Sequence, residues 1–275
     1  MRGIRIAALC SLAVAASCAI ATTGASAALP ELGRCVKVGT TGAYKYKSCV
    51  ITAPGHNGAF EWQPGPGAKP NFEAPLIGEV RFETVGKKHI QCGPSEIVGE
   101  WLDSKKASVN IAFHGCNETA TKKVCTTPEI GTQKESEIKT LEPLEGEIGF
   151  ISGKGGTKPL VGIDLKSTSS MAMLTFTCGG PPAEPSGEPV SWTVEGSVIG
   201  ELKPIDAMNT EGKAVFQAVA GKQVPEKFEE GVKDVPIAKY GTPTPSTTEE
   251  AGLTLREEHK TIITESEEAL ELKAK

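Results

Sequence analysis

Apolar residues fall at every second position in five separate windows of this chain, and that period is the strongest constraint on what it folds into. Val80 and Phe82 form one window, Val109, Ile111 and Phe113 a second, and Leu144, Ile148 and Phe150 a third, with Gly146 sharing their parity. Leu174, Phe176 and Cys178 form the fourth; Trp192, Val194 and Val198 form the fifth, with Gly196 at an inward position. Side chains alternate faces along a strand, so a same-parity apolar row marks a strand with one buried face. A glycine at such a position predicts a bulge or bend. Between the windows lie turn-rich stretches: Pro54-Gly55, Pro64-Gly65-Pro66-Gly67, Gly153-Lys154-Gly155-Gly156 and Gly179-Gly180-Pro181-Pro182. The pattern predicts an all-β fold, an antiparallel sandwich or a partly open barrel.

Cysteines add a second constraint. Residues 1–27 read as a signal peptide: Arg2 and Arg5 precede an apolar stretch from Ile6 to Ile20, and Ala25-Ser26-Ala27 suits cleavage before Ala28. The stretch is short and Ala-rich for a bilayer span of ~20 residues, and no later segment is long and apolar enough to cross. A minor alternative is lipid attachment at Cys18 in Ala15-Ala16-Ser17-Cys18, although Ala15 stands where a bulky aliphatic residue is usual. Loss of the leader leaves Cys35, Cys49, Cys92, Cys116, Cys125 and Cys178, an even set expected to form three disulfides outside the cytoplasm. Spacing ranks Cys35–Cys49 across the turn Gly39-Thr40-Thr41-Gly42, Cys116–Cys125 around the loop Asn117–Val124, and Cys92–Cys178 between distant strands. A metal site at His114, Cys116 and Cys125 is disfavoured, because no tight Cys-x-x-Cys pair is present and paired cysteines do not ligate.

Residues 28–63 form a compact unit with its own cysteine pair and with Tyr44, Tyr46, Phe60 and Trp62. They read as a small disulfide-linked β module, or else as the first hairpin of a single domain. A Pro/Gly-rich linker, 64–75, separates them from a main β domain, 76–275. Thr242–Glu250 reads as a mobile loop, and the alternation of Leu270, Leu272 and Ala274 predicts a closing strand.

The formal net charge of −5 disfavours a nucleic-acid surface. No Gly-x-Ser-x-Gly elbow is present, and the four His (His56, His89, His114, His259) sit in polar or strand-edge contexts. Ser136-Glu137-Ile138-Lys139 has Ser-x-x-Lys spacing without helical flanks, and Gly153–Thr157 lacks phosphate-loop spacing; no cofactor is implied. Glu142, Glu145, Glu147, Asp164 and Glu195 lie in or near predicted strands and are the candidates for paired-carboxylate glycoside hydrolysis. The binding candidates are the aromatics beside turns, Tyr44, Tyr46, Trp62 and Trp101, whose rings can stack on sugars or receive a partner strand, or else fill a small core.

Several stretches, Glu31–Lys37 (ELGRCVK), Phe60–Gly65 (FEWQPG), Phe176–Gly180 (FTCGG), Gly196–Gly200 (GSVIG), Lys227-Phe228-Glu229 and Glu267–Glu271 (EEALE), resemble a group of uncharacterised secreted actinobacterial proteins. The resemblance is scattered over nearly the whole mature chain and implies export and β-rich structure, with no activity to carry over. The expected function is that of a secreted, non-enzymatic β protein that binds, or is itself, a component of the cell envelope. Cell-wall polysaccharide and another envelope protein are the candidate partners, and a secreted glycosidase-like hydrolase is the alternative.

Overall fold

The computed structural model describes residues 29–68, 70–76, 78–128, 136–169, 172–179, 188–255, 262–264 (backbone) and 269–275. The leader with Cys18, part of the Gly179–Pro182 turn and His259 lie outside them. Among the described residues there is no helix. In chain order the first strands are β1 (Glu31–Gly42), β2 (Gly58–Pro64), β3 (Asn71–Leu76), β4 (Val80–Thr84), β5 (His89–Cys92), β6 (Ser95–Trp101), β7 (Lys106–Phe113) and β8 (Asn117–Glu118). Then come β9 (Cys125–Thr126), β10 (Ile138–Lys139), β11 (Leu144–Ser152), β12 (Leu160–Ser167), β13 (Leu174–Cys178), β14 (Val190–Glu195) and β15 (Ser197–Lys203). The last are β16 (Glu211–Val215), β17 (Gln217–Val219), β18 (Lys222–Val224), β19 (Ile237–Gly241), β20 (Thr247–Leu255), β21 (Ile262–Thr264) and β22 (Leu270–Lys273).

The pairing is antiparallel throughout, as predicted. One sheet runs β7-β11-β12-β15-β16-β21-β3-β6 and returns to β7, because β6 pairs with β7 along Ser95–Trp101; its hydrogen bonding therefore closes on itself as a barrel. A second, curved sheet runs β8-β5-β4-β20-β19-β14-β13-β9, and a bridge between Asn117 and Val124 joins its two ends. Consecutive strands pass from one sheet to the other. Cys92 leads to Ser95, Phe113 to Asn117, and Glu195 to Ser197 within a few residues. Gly196 makes the last crossing at φ +87°, where an added Cβ would lie 2.4 Å from the Val235 carbonyl oxygen, so glycine alone fits both the backbone and the space. That is the bend the sequence predicts.

The same-parity residues face one shared core. Val109, Ile111, Phe113, Leu144, Ile148, Phe150, Phe176, Trp192, Val194 and Val198 are all buried, and Leu174 is half-buried at its edge. Across β13, β14 and β19, Phe176 is the register partner of Trp192, and Trp192 of Tyr240. Their rings stack at centroid distances of 5.7 and 4.4 Å. Outside the core the β17–β18 hairpin is pinned by the fully buried Gln223. Its amide nitrogen donates to the Ile199 carbonyl in one sheet, and its carbonyl accepts from the Leu253 amide in the other.

Three expectations change. The disulfides are Cys35–Cys49, as ranked, with Cys92–Cys116 and Cys125–Cys178 in place of Cys92–Cys178 and Cys116–Cys125. The loop Asn117–Val124 does bring Cys116 and Cys125 together, with the Cys125 amide donating to the Cys116 carbonyl. Each cysteine nevertheless pairs with its other neighbour, Cys116 across to β5 and Cys125 across to β13, where Cys178 is its register partner. The stretch 64–75 ends in strand β3, because the alternation of Phe72, Ala74 and Leu76 outweighs the prolines around it. Residues from Thr247 onward belong to β20, paired with β19, so only the turn at 242–246 remains of the expected loop.

The N-terminal unit is a three-stranded sheet, β2-β1-β22, whose third strand comes from the other end of the chain: Glu31–Arg34 pair with Leu270–Lys273. Leu32 and Leu272 anchor it in the common core, and the Leu32 amide donates to the Ser104 carbonyl. Beyond Arg34, β1 leaves β22 and continues to Gly42 with only β2 beside it. The ladder is irregular after Lys37, and the Cys35–Cys49 disulfide, with its Cα atoms 5.7 Å apart, brings the segment after β1 back against the start of this stretch.

Candidate functional site

After β1, residues 43–53 fold into a tight turn that lies back against the start of the strand, the Tyr46 carbonyl standing 3.6 Å from the Cys35 sulfur. The backbone fixes it: Ala53 donates to the Ala43 carbonyl (2.7 Å), Lys45 to Ile51 (2.9 Å) and Cys49 to Tyr46 (3.0 Å), while Tyr44 and Phe60 exchange both hydrogen bonds. The Glu61 carboxylate accepts from the Ala43 amide (2.8 Å), and Cys35–Cys49 ties the turn to β1. The side chains this turn presents are apolar. Tyr46, Val50 and Ile51 are 58, 69 and 51% exposed, three of the eleven exposed large hydrophobic residues described, gathered within six positions. Scattered singly such residues need no explanation, but clustered on a rigid tip they mark an interaction site.

Lys45 and Lys47 lie in the same turn and Lys37 on the strand before it, all exposed and without an ion pair among the described residues. From Leu32 to Phe60 the chain carries Arg34 and these three lysines but no Asp or Glu, although the protein as a whole has a net charge of −5. The tip is therefore apolar and cationic, and opposite in charge to the rest of the molecule.

At the root of the N-terminal unit, Lys273 of β22 sits over the rings of Trp62 (4.6 Å) and Tyr44 (6.0 Å). The Trp62 ring also packs against Gly33, where an added Cβ would come within 2.3 Å of the indole. Two buried carboxylates share Lys273. Burial raises Glu31, with Lys105 and Lys273 pulling it down in part; burial likewise raises Glu271, opposed by Lys273 and by the Trp62 indole beside it. This cluster closes the module onto the chain's C-terminal strand.

The structure thus brings Tyr44 and Trp62 together through Lys273, places Tyr46 at the tip, and removes Trp101. Trp101 is 5% exposed inside the barrel, its ring 5.1 Å from Phe72, so it offers no binding face. Its parity with Ile97, broken to the eye only by Gly99, explains its inward placement. Val50, Ile51 and the lysines were not among the sequence candidates; the absence of any acidic residue over 32–60 is the signal that finds them.

The candidate carboxylates do not assemble. Glu142 is exposed; Glu145, Glu147 and Glu195 are taken up by Lys106 (3.2 Å), Lys166 (3.5 Å) and Lys239 (2.7 Å) on strand surfaces. Asp164 is buried on the outer face of β12. Burial pushes its carboxyl up to about 6, the nearby Asp234 adds to the rise, and the Ser197 hydroxyl opposes it without reaching hydrogen-bond geometry. A space of about 70 Å³ lies between Leu32, Trp101, Ile148 and Leu272, and one of about 50 Å³ is lined by Phe82, Ile111, Phe176 and Val194. Larger clefts of about 690, 500 and 340 Å³ carry Glu96, Glu83 and Glu79 respectively as their single acidic lining residue, so none of these spaces brings two carboxylates to a substrate. The three disulfides fit an oxidising compartment. No helix among the described residues is long and apolar enough to cross a membrane. No protein-family model, curated protein or solved structure matches the chain.

Proposed function

We propose that this is an exported, non-enzymatic binding protein of the cell envelope, and that it binds through the tip formed by Tyr46, Val50 and Ile51 with Lys37, Lys45 and Lys47. One observation carries the reading: three large apolar side chains are held in solvent on a disulfide-tied turn that also carries exposed lysines without an ion pair among the described residues. Holding them there gains nothing for folding, since each is desolvated only by a partner. The leader and the three disulfides support export. Stacking of polysaccharide on Trp62 is disfavoured because Gly33 packs against its ring and Lys273 stands over it.

The test is retention of the oxidised protein on isolated bacterial cell envelopes. The variant Tyr46→Ser/Val50→Ser/Ile51→Ser is expected to bind at least ~10-fold more weakly, each lost apolar side chain being worth about 1 kcal/mol or more. Equal retention of both proteins refutes the binding face. Glycosidase, esterase or peptidase turnover that a single carboxylate substitution abolishes refutes the non-enzymatic reading.

A further inference from the structure

We infer that the occupant of this tip is the surface of a lipid bilayer carrying anionic headgroups; the inference rests on the tip being the binding face and names what it binds. The turn carries the two chemistries that a membrane surface receives. Tyr46, Val50 and Ile51 are exposed for an acyl boundary, and Lys45 and Lys47 in the same turn, with Lys37 on the strand before it, are exposed for phosphates. Lysine stems lie along apolar surface while their ammonium groups reach outward, so all three can meet headgroups with the apolar side chains inserted. Between Leu32 and Phe60 the chain carries four cationic residues and no acidic one, and the Glu61 carboxylate beside the turn is engaged by the Ala43 amide.

A folded protein partner fits less well. A stable protein interface covers about 800 Å² on each side and is built from a packed apolar patch with paired polar groups around it. A narrow turn with three apolar side chains offers far less, whereas a bilayer demands no shape complementarity.

Co-sedimentation of the oxidised protein with vesicles tests this. Vesicles of equal parts phosphatidylglycerol and phosphatidylcholine are expected to take up the protein, and vesicles of phosphatidylcholine alone to take up far less. Each lysine near an anionic surface is worth about fivefold in partition, so Lys37→Gln/Lys45→Gln/Lys47→Gln should lower uptake about a hundredfold. Tyr46→Ser/Val50→Ser/Ile51→Ser should abolish it as well, each variant keeping the denaturation midpoint of the parent. Absence of uptake by anionic vesicles, equal uptake by both vesicle types, or uptake unchanged in either variant overturns the inference. Wild-type protein that is held on whole envelopes through its tip but ignores anionic vesicles refutes the lipid and leaves the binding face standing. Envelope retention that survives loss of Tyr46, Val50 and Ile51 refutes the binding face itself.

Discussion

Replacing Phe176 by Ala tests the register on which the whole core depends. Phe176 is 2% exposed and stacks on Trp192, its partner across β13 and β14. A buried ring of this kind removes about 150–250 Å² from water, worth about 4–6 kcal/mol at about 25 cal/mol per Å², and the alanine methyl keeps part of it. The remainder agrees with the ~3–5 kcal/mol measured for such truncations. Two features place this site at the upper end of that range. Loss of the stack adds about 1 kcal/mol, and Phe176 already lines a cavity of about 50 Å³, so its neighbours have not closed the space they have and are poorly placed to fill more. The expected cost is about 4–5 kcal/mol. Thr175→Ala and Thr177→Ala remove half-buried groups from the opposite face and should cost under about 1 kcal/mol. Urea denaturation of the oxidised proteins, followed by tryptophan fluorescence, reads the difference as a shift in midpoint at constant slope. A strand slipped by one residue would turn every inward side chain outward. A Phe176→Ala cost under about 1.5 kcal/mol, or threonine costs matching it, would refute the register.

Mapping of unreduced peptides should recover Cys35–Cys49, Cys92–Cys116 and Cys125–Cys178. Removing the last pair, which closes 53 residues against 24, should cost about 0.7 kcal/mol more than removing the middle pair. Asp164 holds its proton to about pH 6 when folded and only to about 3.8 when unfolded, so the stability it contributes is full below about pH 4 and is lost as the pH rises through 6. Relative to Asp164→Asn, the wild type should therefore lose roughly 2–3 kcal/mol between pH 4 and 7, and a difference that stays constant across that window would show the carboxyl to be solvated. Cys35→Ala/Cys49→Ala should weaken amide protection at Lys45 and Ala53 by up to ~3 kcal/mol while leaving β13 and β14 protected. A matching loss in the barrel would mean that the N-terminal unit and the barrel unfold as one.

The strands were legible because their signal is local. Val109-x-Ile111-x-Phe113 states its own buried face, and Gly196 states its own bend. What the sequence did not settle is lateral. Cys92, Cys125 and Cys178 stand on β5, β9 and β13 and Cys116 immediately before β8, and Cys116 has a cysteine on either side of it. Spacing along the chain identifies the nearer one, whereas the bond goes to the one whose side chain faces it. The same blindness hid β22: four residues near the C-terminus complete a sheet begun at Glu31, and no local pattern in Leu270–Lys273 names that partner. Among the aromatics, turn proximity put Tyr44, Tyr46, Trp62 and Trp101 in one class, and burial divided them.

These divisions bear on where function can reside. An apolar cavity of ~150 Å³ holds one benzene molecule, and the two spaces lined by core side chains such as Trp101 and Phe176 are half that or less. The interior is thus occupied by its own side chains. Much of the outside of the barrel is covered as well, by the β17–β18 hairpin over Ile199 and by Phe228 and Glu229 against Gly149. A core so filled leaves the surface to act. Apart from Leu32 and Leu272, which belong to the common core, the N-terminal unit buries chiefly Cys49 and Ala53, too small a set to hold a turn rigid against the entropy of the free chain. Cys35–Cys49 and the Glu61 carboxylate supply the missing constraint at the turn that exposes Tyr46, Val50 and Ile51. A covalent tie at that point, on side chains that gain nothing by being exposed, is best explained by a partner that is met with the conformational cost already met in folding.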